Sequence, residues 1–257
     1  MPNLVRYKHN GIIGNGILTT IRDKTVVAEV CGSFYESWTT SGSFYALEEV
    51  ELLSPCTPTK VIGVGVNYYS MATFLGVDVP SKPVFFIKPA SGVIGPDATI
   101  VMPELSNKVD YEIELAVVMK KRGYHIQPEE AFDYILGYTC ANDVTAVDLI
   151  ATGSPWTLAK GFDTFTPLGP CITTDINTDR LYMEAFLNGK RTQSGSTGDM
   201  IVKIPQLIAD VSKIMTLEAG DVLLTGTIPG KGTLSPGDAI EMAISDIGLL
   251  RNKAIRR

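Results

Sequence analysis

The sequence predicts a mainly β protein with a few helices, an α+β chain with a small N-terminal β domain, and three observations predict it. Short β-branched runs punctuated by turn residues recur along most of the 257 residues. Helical signals are confined to two short stretches, so a regular βαβ alternation is absent. Pro55-Cys56-Thr57-Pro58 reads as a linker, because each proline biases its predecessor away from helix, and it divides the chain into residues 1–57 and 58–257.

From Leu4 to the linker the runs form a small meander. Turn signals fall at Tyr7-Lys8-His9-Asn10-Gly11, at Gly14-Asn15-Gly16 and at Arg22-Asp23-Lys24, with Asn-Gly supplying the positive φ of a tight hairpin. Beyond the linker, Lys60 to Val66 is a β-branched run broken by glycine and opens the main body. Further strands are expected over Val84 to Lys88, Asp110 to Met119, Ile135 to Asp143, Thr166 to Ile172, Leu181 to Leu187, Asp221 to Thr225 and Ala239 to Ile244. A helix is expected at Pro128 to Asp133, where proline and acidic residues suit an N-terminus. A second is expected at Pro205 to Met215, with apolar residues at Leu207, Ile208, Val211, Ile214 and Met215.

Composition excludes several function classes. With 45% hydrophobic and 19% charged residues the chain can bury a full core and is no linker, tail or coiled coil. Its 22 Lys and Arg against 28 Asp and Glu leave a net charge of −6 without a basic run, so nucleic acid is not an expected partner. Apolar stretches such as Val61 to Val66 and Leu115 to Met119 fall short of the ~20 residues a membrane-spanning helix needs. The N-terminus enters strand-like alternation directly, without the pattern of a secretory leader, and Cys31, Cys56, Cys140 and Cys171 form no Cys-x-x-Cys pair. A cytoplasmic protein with reduced thiols is expected.

The most informative stretch is Asp110-Tyr111-Glu112-Ile113-Glu114-Leu115. Residues two apart on a strand face the same side, so Glu112 and Glu114 project together while Ile113 and Leu115 take the other face. Two carboxylates leading into an apolar run are costly unless hydrated, protonated or bound to a cation. Asp143, at the end of another expected strand, offers a third oxygen ligand. Two Glu and one Asp suit Mg²⁺ or Mn²⁺ better than zinc, although Glu-x-Glu by itself equally describes a solvated strand edge.

A set of segments, in order, resembles the fumarylacetoacetate hydrolase family over essentially the whole chain. They include Gly65-Val66-Asn67-Tyr68, Pro83-Val84-Phe85-Phe86-Ile87-Lys88-Pro89, Asp110 to Leu115 and Asn142-Asp143-Val144-Thr145-Ala146. Lys160-Gly161-Phe162-Asp163, Asn188-Gly189 with Gln193, Thr225-Gly226-Thr227 and Pro236-Gly237-Asp238 continue the series. The resemblance implies a mixed β-roll behind the small N-terminal domain, a homodimer, and Glu112, Glu114 and Asp143 as ligands of Mg²⁺ or Mn²⁺. It implies Lys160 and Thr227 as catalytic and substrate-binding residues, with Asn67, Tyr68, Phe85 and Lys88 also at the substrate, a small 2-oxo acid or β-dicarbonyl compound. Decarboxylation, keto–enol isomerisation or C–C cleavage would follow from a metal-stabilised enolate.

The sequence departs from the family pattern where a His and a Glu usually follow the Asn-Tyr pair to activate water. Met71 and Phe74 stand there, and Val147 stands where the family often has an arginine. Tyr68, Tyr69 and Ser70 are the hydroxyls left nearby, but their unperturbed pKa values are high for a base. The two histidines, His9 and His125, fall in an expected hairpin and an expected exposed turn. Decarboxylation and isomerisation therefore rank above hydrolysis of an acylpyruvate-type substrate. Apolar Met71 and Val147 also point to a substrate less anionic than a dicarboxylate. A different class of reading is a catalytically silent, ligand-binding member of the fold. Gly226 to Gly232 lacks the ending of a phosphate loop, and Gly63-x-Gly65 lacks the third glycine and the helix of a dinucleotide site.

Overall fold

The computed structural model describes residues 2–150 and 155–257. Its central strand, Ile113–Met119, is buried along its whole length. A strand with no solvent face belongs in the middle of a sheet. This one lies antiparallel between Ile135–Asn142 and Val222–Thr227. Its two faces serve two cores: Ile113, Leu115, Val117 and Met119 pack with Met183, Leu207 and Ile240, while Ala116 and Val118 pack with Leu4, Leu168 and Leu224.

The main sheet runs in the order Trp38–Ala46, Lys24–Gly32, Ile12–Ile21, Asn3–His9, Thr166–Thr173, Ile135–Asn142, Ile113–Met119, Val222–Thr227, Lys60–Gly65, Val84–Pro89. It is mixed, because Lys60–Gly65 lies parallel to Val222–Thr227. The N-terminal meander extends this sheet, since Asn3–His9 pairs with Thr166–Thr173 as well as with Ile12–Ile21. A second sheet of Lys190–Ser196, Tyr182–Leu187, Ala239–Ile244, Gly248–Arg256 and Thr99–Met102 shares the larger core with the helix Ile204–Ile214. No helix among the described residues is long and apolar enough to cross a membrane.

The mainly β architecture with few helices is the one expected, with local differences. The expected strand Asp110 to Met119 is two, Val109–Tyr111 in a small third sheet and Ile113–Met119 in the main one. At the break, side chains replace the ladder: the Glu112 N–H donates to Asn142 Oδ1 at 3.0 Å and the Ile113 N–H to Gln193 Oε1 at 3.1 Å. Gly14-Asn15-Gly16 is strand, not turn. The Tyr7 ring lies so close to Gly14 that a Cβ there would sit 2.8 Å from it, so these glycines make room for packing. The true turns are Asn10-Gly11, at φ of 49° and 82°, and Arg22-Asp23, at 48° and 64°. Pro128–Tyr134 is a 3₁₀ helix, and a short helix at Tyr69–Leu75 occupies a stretch with no helical signal.

The parallel strand pair beside the site is pinned by Asp221, fully buried at the mouth of Val222–Thr227. Its Oδ1 accepts from the Thr59 hydroxyl at 2.7 Å and from the Thr59 and Lys60 N–H groups, while Oδ2 accepts from the Glu218 N–H at 2.9 Å and pairs with the Lys60 ammonium. Burial raises this carboxyl, but Lys60 and these donors hold it below its ordinary value. The bond set therefore stabilises the fold above the unfolded carboxylate pKa, and that contribution is lost as pH falls through the folded one. Asp221→Ala is expected to cost about 2–4 kcal/mol in urea unfolding at neutral pH, with the difference from wild type shrinking towards pH 3.

Candidate metal and substrate site

Three buried carboxylates, Glu112, Glu114 and Asp143, each offer an oxygen within 4.8 Å of the others. Glu112 sits at the break between two strands, Glu114 is the second residue of the central strand, and Asp143 follows Ile135–Asn142 directly. The break and the strand end are tied together, because the Asp143 N–H donates to the Glu112 carbonyl at 2.9 Å. Opposite Glu114 the pairing slips, with Glu114 facing Thr227 and Ala116 facing Leu224. Gly226 takes φ of 94° in that bulge and aims its N–H at Glu114 Oε2, 2.6 Å away.

Three lysines answer the three carboxylates unevenly. Lys88, fully buried, donates to Asp143 Oδ1 at 2.6 Å and to the Val144 carbonyl at 3.0 Å. Lys160, at the end of the short helix Thr157–Lys160, donates to Glu112 Oε2 at 3.0 Å and pairs with Asp143 Oδ2. Lys231 donates to Glu112 Oε1 at 2.5 Å. Burial lowers the Lys160 ammonium, but Asp143 and Glu112 outweigh it and hold the group above its ordinary value. Burial would raise Asp143, yet Lys160 and Lys88 hold it below the usual carboxylate range. Glu114 touches no lysine among the described residues, and burial, then Asp143 and Glu112, push it well above the ordinary carboxylate value.

The three carboxylates, Lys160 and Lys231 line a cavity of about 210 Å³. Of the residues expected from sequence, Glu112, Glu114, Asp143, Lys160 and Thr227 line it together. Asn67, Tyr68, Phe85 and Lys88 do not. The Asn67 amide is consumed by backbone, donating to the Val202 and Thr225 carbonyls and accepting from the Val202 N–H. Tyr68 is fully buried with its hydroxyl on Met183 Sδ, and burial pushes its phenol up, away from service as a base. Phe85 packs on the larger core, and Lys88 stands behind Asp143. Thr227 lines the cavity, but its hydroxyl donates to the Ile113 carbonyl at 2.7 Å and accepts from Gln193 Nε2, so its proton is committed.

The lining also includes the apolar side chains Met71, Leu75, Phe86, Ile150 and Trp156. Phe74 points out at 61% exposure, and neither Tyr69, Ser70, His9 nor His125 lines the cavity. Trp156, Phe86 and Lys231 are the site residues that sequence reasoning missed. The glycines of Gly63-x-Gly65 were the trace of the two aromatics: a Cβ on Gly65 would lie 2.7 Å from the Trp156 ring, and one on Gly63 2.1 Å from Phe86. An all-oxygen donor set with one carboxylate lacking an ammonium partner fits a hard divalent cation. Without such an ion burial and the neighbouring carboxylates hold Glu114 above its ordinary value, so it stabilises the fold below the unfolded carboxylate pKa, and that contribution is lost as pH rises through the folded one. Glu114→Gln keeps an acceptor for Gly226 and removes the charge. It is expected to raise the melting temperature of the metal-free protein at pH 8 by about 2–4 °C, the shift that about 1 kcal/mol produces in a chain of this size, as read by calorimetry in chelator.

Comparison with known proteins places this geometry. The family model described as "Fumarylacetoacetate (FAA) hydrolase C-terminal" matches residues 60–255, and one described as "Rv2993c-like, N-terminal" matches residues 3–55. A mitochondrial oxaloacetate tautomerase of Homo sapiens is 41% identical over 220 residues, covering 80% of this chain and 70% of that one. The crystal structure of a 2-hydroxyhepta-2,4-diene-1,7-dioate isomerase from Mycobacterium marinum superposes with a TM-score of 0.93 at 33% identity, covering 100% of this chain and 99% of that chain. A maleylpyruvate hydrolase from Sphingobium superposes with a TM-score of 0.81 at 25% identity, covering 100% of both chains. These similar proteins are a tautomerase, an isomerase and a hydrolase. With its main body matched end to end, the chain belongs to the fumarylacetoacetate hydrolase family.

Proposed function

We propose that the protein is a divalent-metal-dependent enzyme acting on a 2-oxo acid or β-dicarbonyl compound, by keto–enol isomerisation or decarboxylation ahead of C–C cleavage by an activated water. The observation that carries this reading is a buried carboxylate triad joined to a protonated lysine in a cavity lined by Met71 in place of a base. The tautomerase and isomerase relatives support proton transfer, and the hydrolase relative marks the alternative.

Glu112, Glu114 and Asp143 would hold Mg²⁺ or Mn²⁺. Such an ion, when bound, supplies Lewis acidity that favours the enolate of a chelated 2-oxo acid. The chain's own residues do the rest. Lys160 Nζ, kept protonated between Glu112 and Asp143, presents an ammonium where negative charge develops on a substrate oxygen. The Phe86 ring, its centroid 4.9 Å from that nitrogen, covers it and limits water around it. Gln193 fixes the floor by joining the Ile113 N–H to the Thr227 hydroxyl and the Ile228 carbonyl. Val66, a β-branched residue at φ of 47°, lines the cavity in a conformation that costs about 1–3 kcal/mol, as strained positions at functional sites do.

We take residues 1–57 and 58–257 as two units, a seam supported by separate family models on either side of it. A homodimer is supported by exposed apolar side chains such as Ile87, Leu105 and Leu158, and a cytoplasmic location by four unbridged cysteines.

A proton NMR time course in D₂O with Mg²⁺ and a panel of 2-oxo acids and acylpyruvates tests the reaction type. Wild type is expected to exchange the C3 protons or release CO₂, and Lys160→Met to be slower by about 10²–10⁴-fold. Hydrolytic cleavage products alone would reverse the ranking. Bound Mn²⁺ with no turnover of any panel member would favour the silent, ligand-binding reading.

A further inference from the structure

The three ammonium groups at the triad differ in what they have left to give. Lys88 Nζ is enclosed behind Asp143 with 0% side-chain exposure, and Lys160 is at 6%, bridging two carboxylates. Lys231 is at 23% and spends one hydrogen bond, on Glu112 Oε1. An ammonium carries three donors, so Lys231, which lines the cavity, keeps two N–H groups where Lys88 and Lys160 keep one each.

Its position is built into the fold. Lys231 sits between two constrained glycines: Gly230, at φ of 97°, packs so that a Cβ would lie 2.2 Å from the Thr192 carbonyl, and a Cβ on Gly232 would lie 3.0 Å from the Tyr111 hydroxyl. Gln193 Nε2 donates to the Ile228 carbonyl at 2.6 Å and anchors the start of the same loop. The rest of the lining includes the apolar side chains of Met71, Leu75, Phe86, Ile150 and Trp156. Besides Lys231, the cation lining the cavity among the described residues is Lys160, which lies 4.9 Å from the Phe86 centroid and is already committed to Glu112 and Asp143, and Ala151-Thr152-Gly153-Ser154, outside them, carry no charge in sequence.

We propose that Lys231 anchors the carboxylate of the substrate and that the cavity selects a 2-oxo acid with one carboxylate and an apolar substituent. The inference rests on the reading of the site as one for a metal-chelated 2-oxo acid. A carboxylate meeting Lys231 gains a charge-assisted hydrogen bond from donors that have no other partner. The remainder of the molecule then lies on apolar side chains, where a second carboxylate would lose its hydration without a cation to replace it. Lys231 is a positioning residue in this account, setting which end of the substrate faces the triad.

Calorimetric binding of 4-methyl-2-oxopentanoate and of 2-oxoglutarate to the full chain with Mn²⁺ tests it, on wild type, Lys231→Met and Lys231→Arg. Wild type is expected to bind the monocarboxylate at least about tenfold more tightly than the dicarboxylate. Lys231→Met is expected to weaken the monocarboxylate about tenfold to a hundredfold, with Lys231→Arg restoring most of it. Mn²⁺ uptake, read separately by electron paramagnetic resonance, is expected to be retained in Lys231→Met, because the substitution removes a competitor for Glu112. Unchanged monocarboxylate affinity in Lys231→Met with Mn²⁺ bound overturns the role of Lys231 and leaves the metal reading standing. Equal wild-type affinity for the two acids overturns the selection of a single carboxylate. Failure of wild type to take up Mn²⁺ overturns the metal reading and this inference with it.

Discussion

Mutual repulsion among Glu112, Glu114 and Asp143 is the constraint that the surrounding structure answers. At the 4.8 Å that bounds their separation, two unit charges repel by about 3–4 kcal/mol at an effective dielectric of about 20, and burial adds a desolvation cost for each. Such a cluster persists only where the fold supplies compensation. Lys88 and Lys160 supply it for Asp143, and Lys160 and Lys231 for Glu112. Glu114 receives a single backbone N–H, from the bulged Gly226. The deficit is local to Glu114, and Glu112, Glu114 and Asp143 are the residues that would hold a divalent ion.

The scaffold is arranged to hold that cluster still. The central strand is buried on both faces, so Glu114 has no freedom to swing towards solvent. The interruption at Glu112 is sealed by the Asn142 and Gln193 side chains, which take the backbone N–H groups a continuous ladder would have used. Asp221 fixes the parallel strands that carry Thr227 and the Gly63-Val64-Gly65 wall. Dry aromatic cover from Phe86 and Trp156 strengthens the electrostatics inside the cavity, since fewer waters screen the charges. A polar floor under an apolar roof orients a small amphipathic acid without needing a large pocket.

Much of this was legible in the sequence where local pattern and physical requirement coincide. The period-two rule put Glu112 and Glu114 together, and they do converge, although the strand breaks at Glu112 and the convergence comes from tertiary hydrogen bonds. Asp143 was legible as an oxygen ligand at a strand end, but Lys160 was legible only through the resemblance, because nothing in its own segment indicates what it meets. Asn67 and Lys88 illustrate the limit of carrying motifs into roles: both belong to matching segments, and both support the site from behind it. Lys231 was illegible because its significance depends on a glycine-shaped loop meeting a strand more than a hundred residues earlier in the chain. Gly14-Asn15-Gly16 misled for the related reason that a glycine required by a neighbouring ring looks, in sequence, like a glycine required by a turn.

Mn²⁺ titration followed by electron paramagnetic resonance, on wild type and Glu114→Gln at pH 6 and pH 8, tests most directly that the triad is a cation site. One bound ion per wild-type chain is expected, tighter at the higher pH because carboxylates ligate in their ionised form and burial raises Glu114, and no comparable binding in the variant. Equal binding by the two proteins, or no binding by wild type at either pH, would contradict it.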